Sequence, residues 1–167
     1  MYDQYNRKID YLRISLTDRC NLHCRYCRPE VSEHVPHNEI LRYEELLRIC
    51  RAALQLGIRK FKITGGEPLL RKGCSDFIAN LKQLDGMEQV TLTTNGTLLA
   101  QQLPALIAAG VDSINVSLDT LDAAYYTELT GGSLDSVLQA LQELHVAGIP
   151  FKLNCVPLAE NGLADIM

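Results

Sequence analysis

Five short runs of this chain place apolar side chains at every second position, with polar ones between. Alternate residues of a β-strand point to opposite faces, so each run has one apolar and one polar face. Leu12, Ile14 and Leu16 oppose Arg13 and Ser15; Phe61 and Ile63 oppose Lys62 and Thr64. Val90 and Leu92 oppose Thr91, Thr93 and Asn95, and Ile114, Val116 and Leu118 oppose Asn115 and Ser117. In the last run Phe151, Leu153 and Cys155 oppose Lys152 and Asn154. Helix-period segments over 42–57, 74–84, 99–110 and 133–148 lie between the runs, the third with Pro104 inside it. Gly57 and Gly148 read as stops, Ser133 as an N-cap, and 161–167 as the start of a further helix.

Strand–helix alternation at this period means βα units and a parallel sheet. A doubly wound sheet is covered on both faces and reads as continuous apolar runs. A closed eight-stranded barrel fills its interior with branched aliphatics. Neither matches strands with one polar face. The expected fold is α/β, a partial, open parallel (β/α) barrel with helices on one side. A merely solvated face would carry Glu and Lys in quantity. These faces carry Thr, Ser and Asn with isolated cations, which favours a ligand-lined concave wall.

At 167 residues the chain is long enough for one domain with a sizeable core. Its net charge of −4 offers no concentrated basic face, so nucleic acid is not an expected partner. No apolar run approaches a membrane span and the first residues lack a signal-peptide core, so neither membrane nor secretion is expected. The expected compartment is the cytoplasm, where the six cysteines stay reduced rather than paired.

Three of those cysteines crowd into eight residues as C-x3-C-x2-C: Cys20, Cys24 and Cys27. They follow the first strand, at the end where α/β barrels place their chemistry. Tetrahedral zinc takes four ligands, and His23 or His34 could supply the fourth. A cubane iron–sulfur cluster held by three thiolates instead leaves one iron open to a small ligand. Arg19, Arg25 and Arg28 could offset the thiolate charge, and Tyr26 could shield the group. Cys50, Cys74 and Cys155 read as small core residues. The second motif is TGGEP, residues 64–68, at the end of the second strand, where two glycines let backbone approach a ligand closely.

Together, CNLHCRYC and TGGEPLLRKG resemble the radical S-adenosylmethionine superfamily. With TLTTNGTLL, INVSLDTLD and KLNCV following in order, the chain is similar to the molybdenum cofactor protein A family of GTP 3′,8-cyclases. That resemblance implies a [4Fe–4S] cluster on Cys20, Cys24 and Cys27, and S-adenosylmethionine held by Tyr26, Gly65, Gly66, Glu67 and Ser117. It implies GTP contacts at Arg13, Lys62, Thr93 and Lys152, all on polar strand faces. The implied chemistry is reductive cleavage of S-adenosylmethionine to a 5′-deoxyadenosyl radical, which drives conversion of GTP to (8S)-3′,8-cyclo-7,8-dihydroguanosine 5′-triphosphate. The implied partners are GTP, an electron donor of the flavodoxin type and a second copy of the chain. Alternatives are a radical enzyme with another substrate, or a non-catalytic iron–sulfur or zinc-binding remnant. Residues 1–167 read as a truncated core domain with five of the family's six strands, and the family's C-terminal second-cluster region is absent from them. An exposed strand edge and exposed apolar helix faces are expected to follow.

Overall fold

The computed structural model describes residues 2–27 and 34–158. Five strands form one sheet: β1 (Tyr11–Ser15), β2 (Lys60–Thr64), β3 (Gln89–Thr94), β4 (Ser113–Ser117) and β5 (Phe151–Asn154). They lie in chain order and every pair is parallel. Helices α1 (Tyr43–Gln55), α2 (Cys74–Lys82) and α3 (Leu99–Ala108) make the first three crossovers. The fourth crossover uses two, α4 (Ala123–Thr130) and α5 (Leu134–Val146). This is the expected open, partly completed barrel.

The apolar strand positions form the core with the helices. Ile63, Val90, Leu92, Ile114 and Val116 are fully buried, packed with Phe77, Ile78, Leu81, Leu106, Val137 and Leu144 from the helix layer. Each such side chain contributes about 1.5–3 kcal/mol by leaving water. Cys50 and Cys74 belong to this core, as expected. On the core face of β3 the apolar pattern ends in a polar residue, the buried Thr94.

Three features depart from the sequence reading. Helix α4 was not anticipated; its signals are local, with Asp122 accepting from the Tyr125 N–H at 2.8 Å and Gly131 closing the helix at φ 74°. Ser133 occupies the N-cap position of α5, but its hydroxyl makes no capping bond. Cys155 lies beyond the end of β5 and is only half-buried, with its thiol donating to the Asp119 carbonyl at 3.6 Å. The reason is position. Strand β5 pairs only with β4 among the described residues, and its Leu153 remains 51% exposed. The helix start anticipated at 161–167 lies outside the described residues.

Candidate functional site

The polar strand residues line up across the sheet by register. Arg13 stands beside Lys62, which stands beside Thr91. One row on, Thr93 stands beside Asn115, which stands beside Lys152. Ser117, at the end of β4, neighbours Asn154. The structure therefore brings Arg13, Lys62, Thr93, Lys152 and Ser117 onto one face. The Arg13 guanidinium makes a long 3.4 Å contact to the Thr64 hydroxyl, and the Lys62 ammonium lies 6.0 Å from the centre of the Tyr11 ring. The Thr93 hydroxyl is the buried side-chain polar atom without a hydrogen-bond partner among the described residues.

At the C-terminal end of the strands, the cysteine loop is tied down from two sides. On one side it meets TGGEP. The Gly66 N–H donates to the Thr17 carbonyl at 2.6 Å, and the Glu67 N–H to the Arg19 carbonyl at 2.7 Å. A Cβ at Gly65 would stand 2.6 Å from the Thr17 oxygen, and one at Gly66 would overlap the Arg19 carbonyl. The close approach these glycines permit is thus chain against chain. The sequence reading named a ligand's approach and not this one.

Glu67 is fully buried. One carboxylate oxygen accepts from the Leu69 N–H at 3.0 Å and the Thr94 hydroxyl at 2.8 Å; the other accepts from the Asn95 N–H at 2.7 Å. Its side chain is committed to the protein, so any ligand contact at this residue falls to its backbone. Burial raises its pKa above the ordinary carboxylate value, while these hydrogen bonds pull the other way. Asn95 in turn donates to the Asn21 side chain at 3.0 Å and to the Cys20 sulfur at 3.7 Å.

On the other side the loop meets α4 and the end of β4. The N–H groups of His23 and Arg25 donate to the carbonyls of Thr130 and Leu129 at 2.9 and 3.0 Å. These are the last two residues of α4, whose carbonyls have no helical partner. Leu22 is buried against Gly132, and Tyr26 donates its hydroxyl to Asp119 at 2.6 Å. Burial and the Asp119 charge push the Tyr26 hydroxyl well above its ordinary pKa. Neither α4 nor Asp119 figured among the sequence candidates. The N-cap pattern could have found the helix, whereas nothing local marks the aspartate.

The arginines do not all serve the thiols. Arg25 pairs with Glu128 at 3.3 Å, and Arg19 lines a cavity of about 690 Å³ with Arg42, Tyr43, Arg71 and Lys72. Arg28 lies outside the described residues.

The three cysteines are free thiols. Cys24 is half-buried, and burial together with the neighbouring Cys20 pushes its pKa up to about 11. Without a cation beside it this group stays a protonated thiol, and holding it as a thiolate would take one. No three His, Cys, Asp or Glu side chains among the described residues gather closely enough to grip one ion. His34 is turned to Asp18, 3.2 Å away. A cubane places a different iron on each sulfur, so its thiolates need not converge on one ion. Among the described residues no helix is long and apolar enough to cross a membrane.

Comparison with known proteins agrees with this geometry. The chain is 48% identical to a GTP 3′,8-cyclase of Thermodesulfovibrio yellowstonii over 99% of its length, covering 52% of that protein. It is 49% identical to a GTP 3′,8-cyclase of Pelotomaculum thermopropionicum over 93% of its length, covering 49%. The chain thus spans about half the length of the curated relatives it matches. Among solved structures, SuiB of Streptococcus suis bound to precursor peptide SuiA superposes with a TM-score of 0.75 at 21% identity, over 94% of this chain and 35% of that one. The enzyme anSMEcpe with bound AdoMet gives a TM-score of 0.68 at 20% identity, over 87% of this chain and 42% of that one. Those two likenesses show the fold. The Radical SAM superfamily model matches residues 14–166, from within β1 to beyond β5. The family's cofactors are a [4Fe–4S] cluster and S-adenosylmethionine, the groups that three free thiols at the strand ends would serve. On that match, which takes in the end of β1, the other four strands and the cysteine loop, the chain belongs to the radical SAM superfamily.

Proposed function

We propose that this chain is the cluster- and S-adenosylmethionine-binding portion of a cytoplasmic GTP 3′,8-cyclase of molybdenum cofactor biosynthesis. The observation that carries the reading is its 48% identity, along 99% of its length, to a protein of that name. The polar face of the sheet supports it. Arg13 and Lys62 in one row, with Thr93 and Lys152 in the next, offer cations and a hydroxyl to a triphosphate or a ribose.

In this reading Cys20, Cys24 and Cys27 hold the cluster. Tyr26, Ser117 and the backbone of Gly65, Gly66 and Glu67 hold S-adenosylmethionine. The N–H groups of Gly66 and Glu67 are taken by the cysteine loop and the Glu67 carbonyl accepts from the Leu70 N–H at 3.1 Å, so the carbonyls of Gly65 and Gly66 are the ones to offer to an amino group. When bound, the cluster supplies the electron that opens the sulfonium bond. The chain's own contribution is position. Glu67 and Asp119 fix the loop, and the cationic rows orient the nucleotide over the same mouth. An electron donor of the flavodoxin type and a second copy of the chain complete the proposed partners.

The test is anaerobic reconstitution with iron and sulfide, then EPR of the reduced protein with and without S-adenosylmethionine, followed by equilibrium dialysis with GTP. A [4Fe–4S] signal altered by S-adenosylmethionine is expected. So is a roughly tenfold loss of GTP affinity in Lys152→Ala, the order expected for removing one charged hydrogen bond. A signal indifferent to S-adenosylmethionine, or GTP binding that ignores both Lys152→Ala and Arg13→Ala, would sink the reading.

A further inference from the structure

Two N–H donors face the Cys20 sulfur. The Leu22 backbone donates at 3.4 Å, and the Asn95 side-chain amide approaches at 3.7 Å, within reach of a hydrogen bond to sulfur. That amide is not loose. Its oxygen accepts from the Thr97 N–H at 3.0 Å and the Thr97 hydroxyl at 2.7 Å, which fixes which end of the amide points at the cysteine loop. Its backbone N–H is held by the fully buried Glu67 at 2.7 Å. Asn21 closes the ring, accepting from the Asn95 amide at 3.0 Å and donating to the Thr97 hydroxyl at 2.9 Å. A buried carboxylate, a threonine and a loop asparagine thus aim one amide N–H at one sulfur.

We infer that Asn95 is a positioning residue that tunes the cluster's reduction through its hydrogen bond to Cys20. This rests on the cluster reading above. Hydrogen bonds to ligand sulfurs set the potential of iron–sulfur clusters, because a donor stabilises negative charge on sulfur. Reduction adds such charge. An N–H aimed at the Cys20 sulfur therefore favours the reduced state, and its removal makes the cluster harder to reduce. The bias would act through the iron that the Cys20 sulfur binds.

The experiment is an EPR-monitored redox titration of the reconstituted chain, with iron and sulfide content measured alongside. Wild type, Asn95→Ala, Thr97→Val and Asn21→Ala are compared. Asn95→Ala is expected to lower the one-electron reduction equilibrium about tenfold, which is about 59 mV. Thr97→Val removes the hydroxyl but keeps the N–H on the amide oxygen, so it loosens the amide and should shift the equilibrium the same way by less. Asn21→Ala keeps the donor to sulfur and removes only the clamp, so its potential should stay at the wild-type value even where iron content falls. Should Asn95→Ala fail to load, the reading passes to Thr97→Val against Asn21→Ala. An unchanged potential in Asn95→Ala, or in Thr97→Val where that variant decides, overturns the inference. So does an equal shift in Asn21→Ala, which would assign the effect to loop clamping alone. A wild-type chain that forms no [4Fe–4S] cluster overturns the cluster reading itself, a result separate from either.

Discussion

Two buried carboxylates stand at the mouth of the sheet, one for each half of the cysteine loop. Glu67 serves the half that begins at Cys20. It spans neighbouring segments, accepting from Leu69 and from Thr94 and Asn95 at the end of β3, while its own N–H reaches the Arg19 carbonyl. Asp119 serves the half that ends at Cys27. Its side chain accepts from the Tyr26 hydroxyl at 2.6 Å and from the Val156 N–H at 2.9 Å, residues far apart in sequence. Glu67 is enclosed by the finished part of the sheet. Asp119, only 4% exposed, sits where β4 hands over to β5 and the open edge. The contrast is between a loop anchor enclosed within the sheet and one placed beside its open edge.

The largest expected effect is on the first of these. Glu67→Ala leaves three buried donors without a partner, and the cost is about 3–5 kcal/mol at about 1–3 kcal/mol for each orphaned group, partly relieved by water. Urea unfolding measures it. Asp119→Ala strands the Tyr26 hydroxyl and the Val156 N–H nearer to solvent, and about 1–3 kcal/mol is expected. A double-mutant cycle with Tyr26→Phe should recover a coupling of about 1 kcal/mol between the pair. Equal losses in the two alanine variants would erase the contrast drawn here.

A pH series sharpens it. Burial raises the folded-state pKa of Glu67 above its ordinary value of 4.5. The folded state then holds the proton more tightly than the unfolded state. Glu67's titration therefore contributes stability that is full below 4.5 and is lost as pH rises through the folded value. The stability of wild type minus that of Glu67→Gln, read by urea unfolding, should fall as pH rises across this window. A difference that rises instead would mean that the three hydrogen bonds outweigh burial. The smallest effect is expected at the open edge. Leu153→Thr removes a half-exposed side chain from β5 and should change stability by about 0.5 kcal/mol or less. A thermal melt that drops markedly would place Leu153 in the core after all.

The strands were legible because burial imposes a period of two on the chain. Leu92 and Ile114 face the helices while Thr93 and Asn115 face away, and that alternation is written directly in residue order. The cysteine triad and TGGEP were legible for a similar reason, since each lies within a few consecutive residues. What was not legible arises between distant segments. The sequence does not say that Gly66 is bare to admit the Arg19 carbonyl, or that Glu67 points inward to Thr94. Cys155 looked like a core residue by parity, but parity carries no knowledge of whether a neighbouring strand covers it.

Sequence alone therefore determined the alternating sheet, the thiol triad and the family resemblance, because periodicity and short spacing are properties of neighbouring residues. Only the tertiary structure decided that Asn95 faces the Cys20 sulfur, that α4 offers its last carbonyls to the cysteine loop, and that Asp119 holds Tyr26. Each of those contacts joins residues brought together by the parallel order of the strands, and hydrogen bonding at about 3 Å has no signature along the chain.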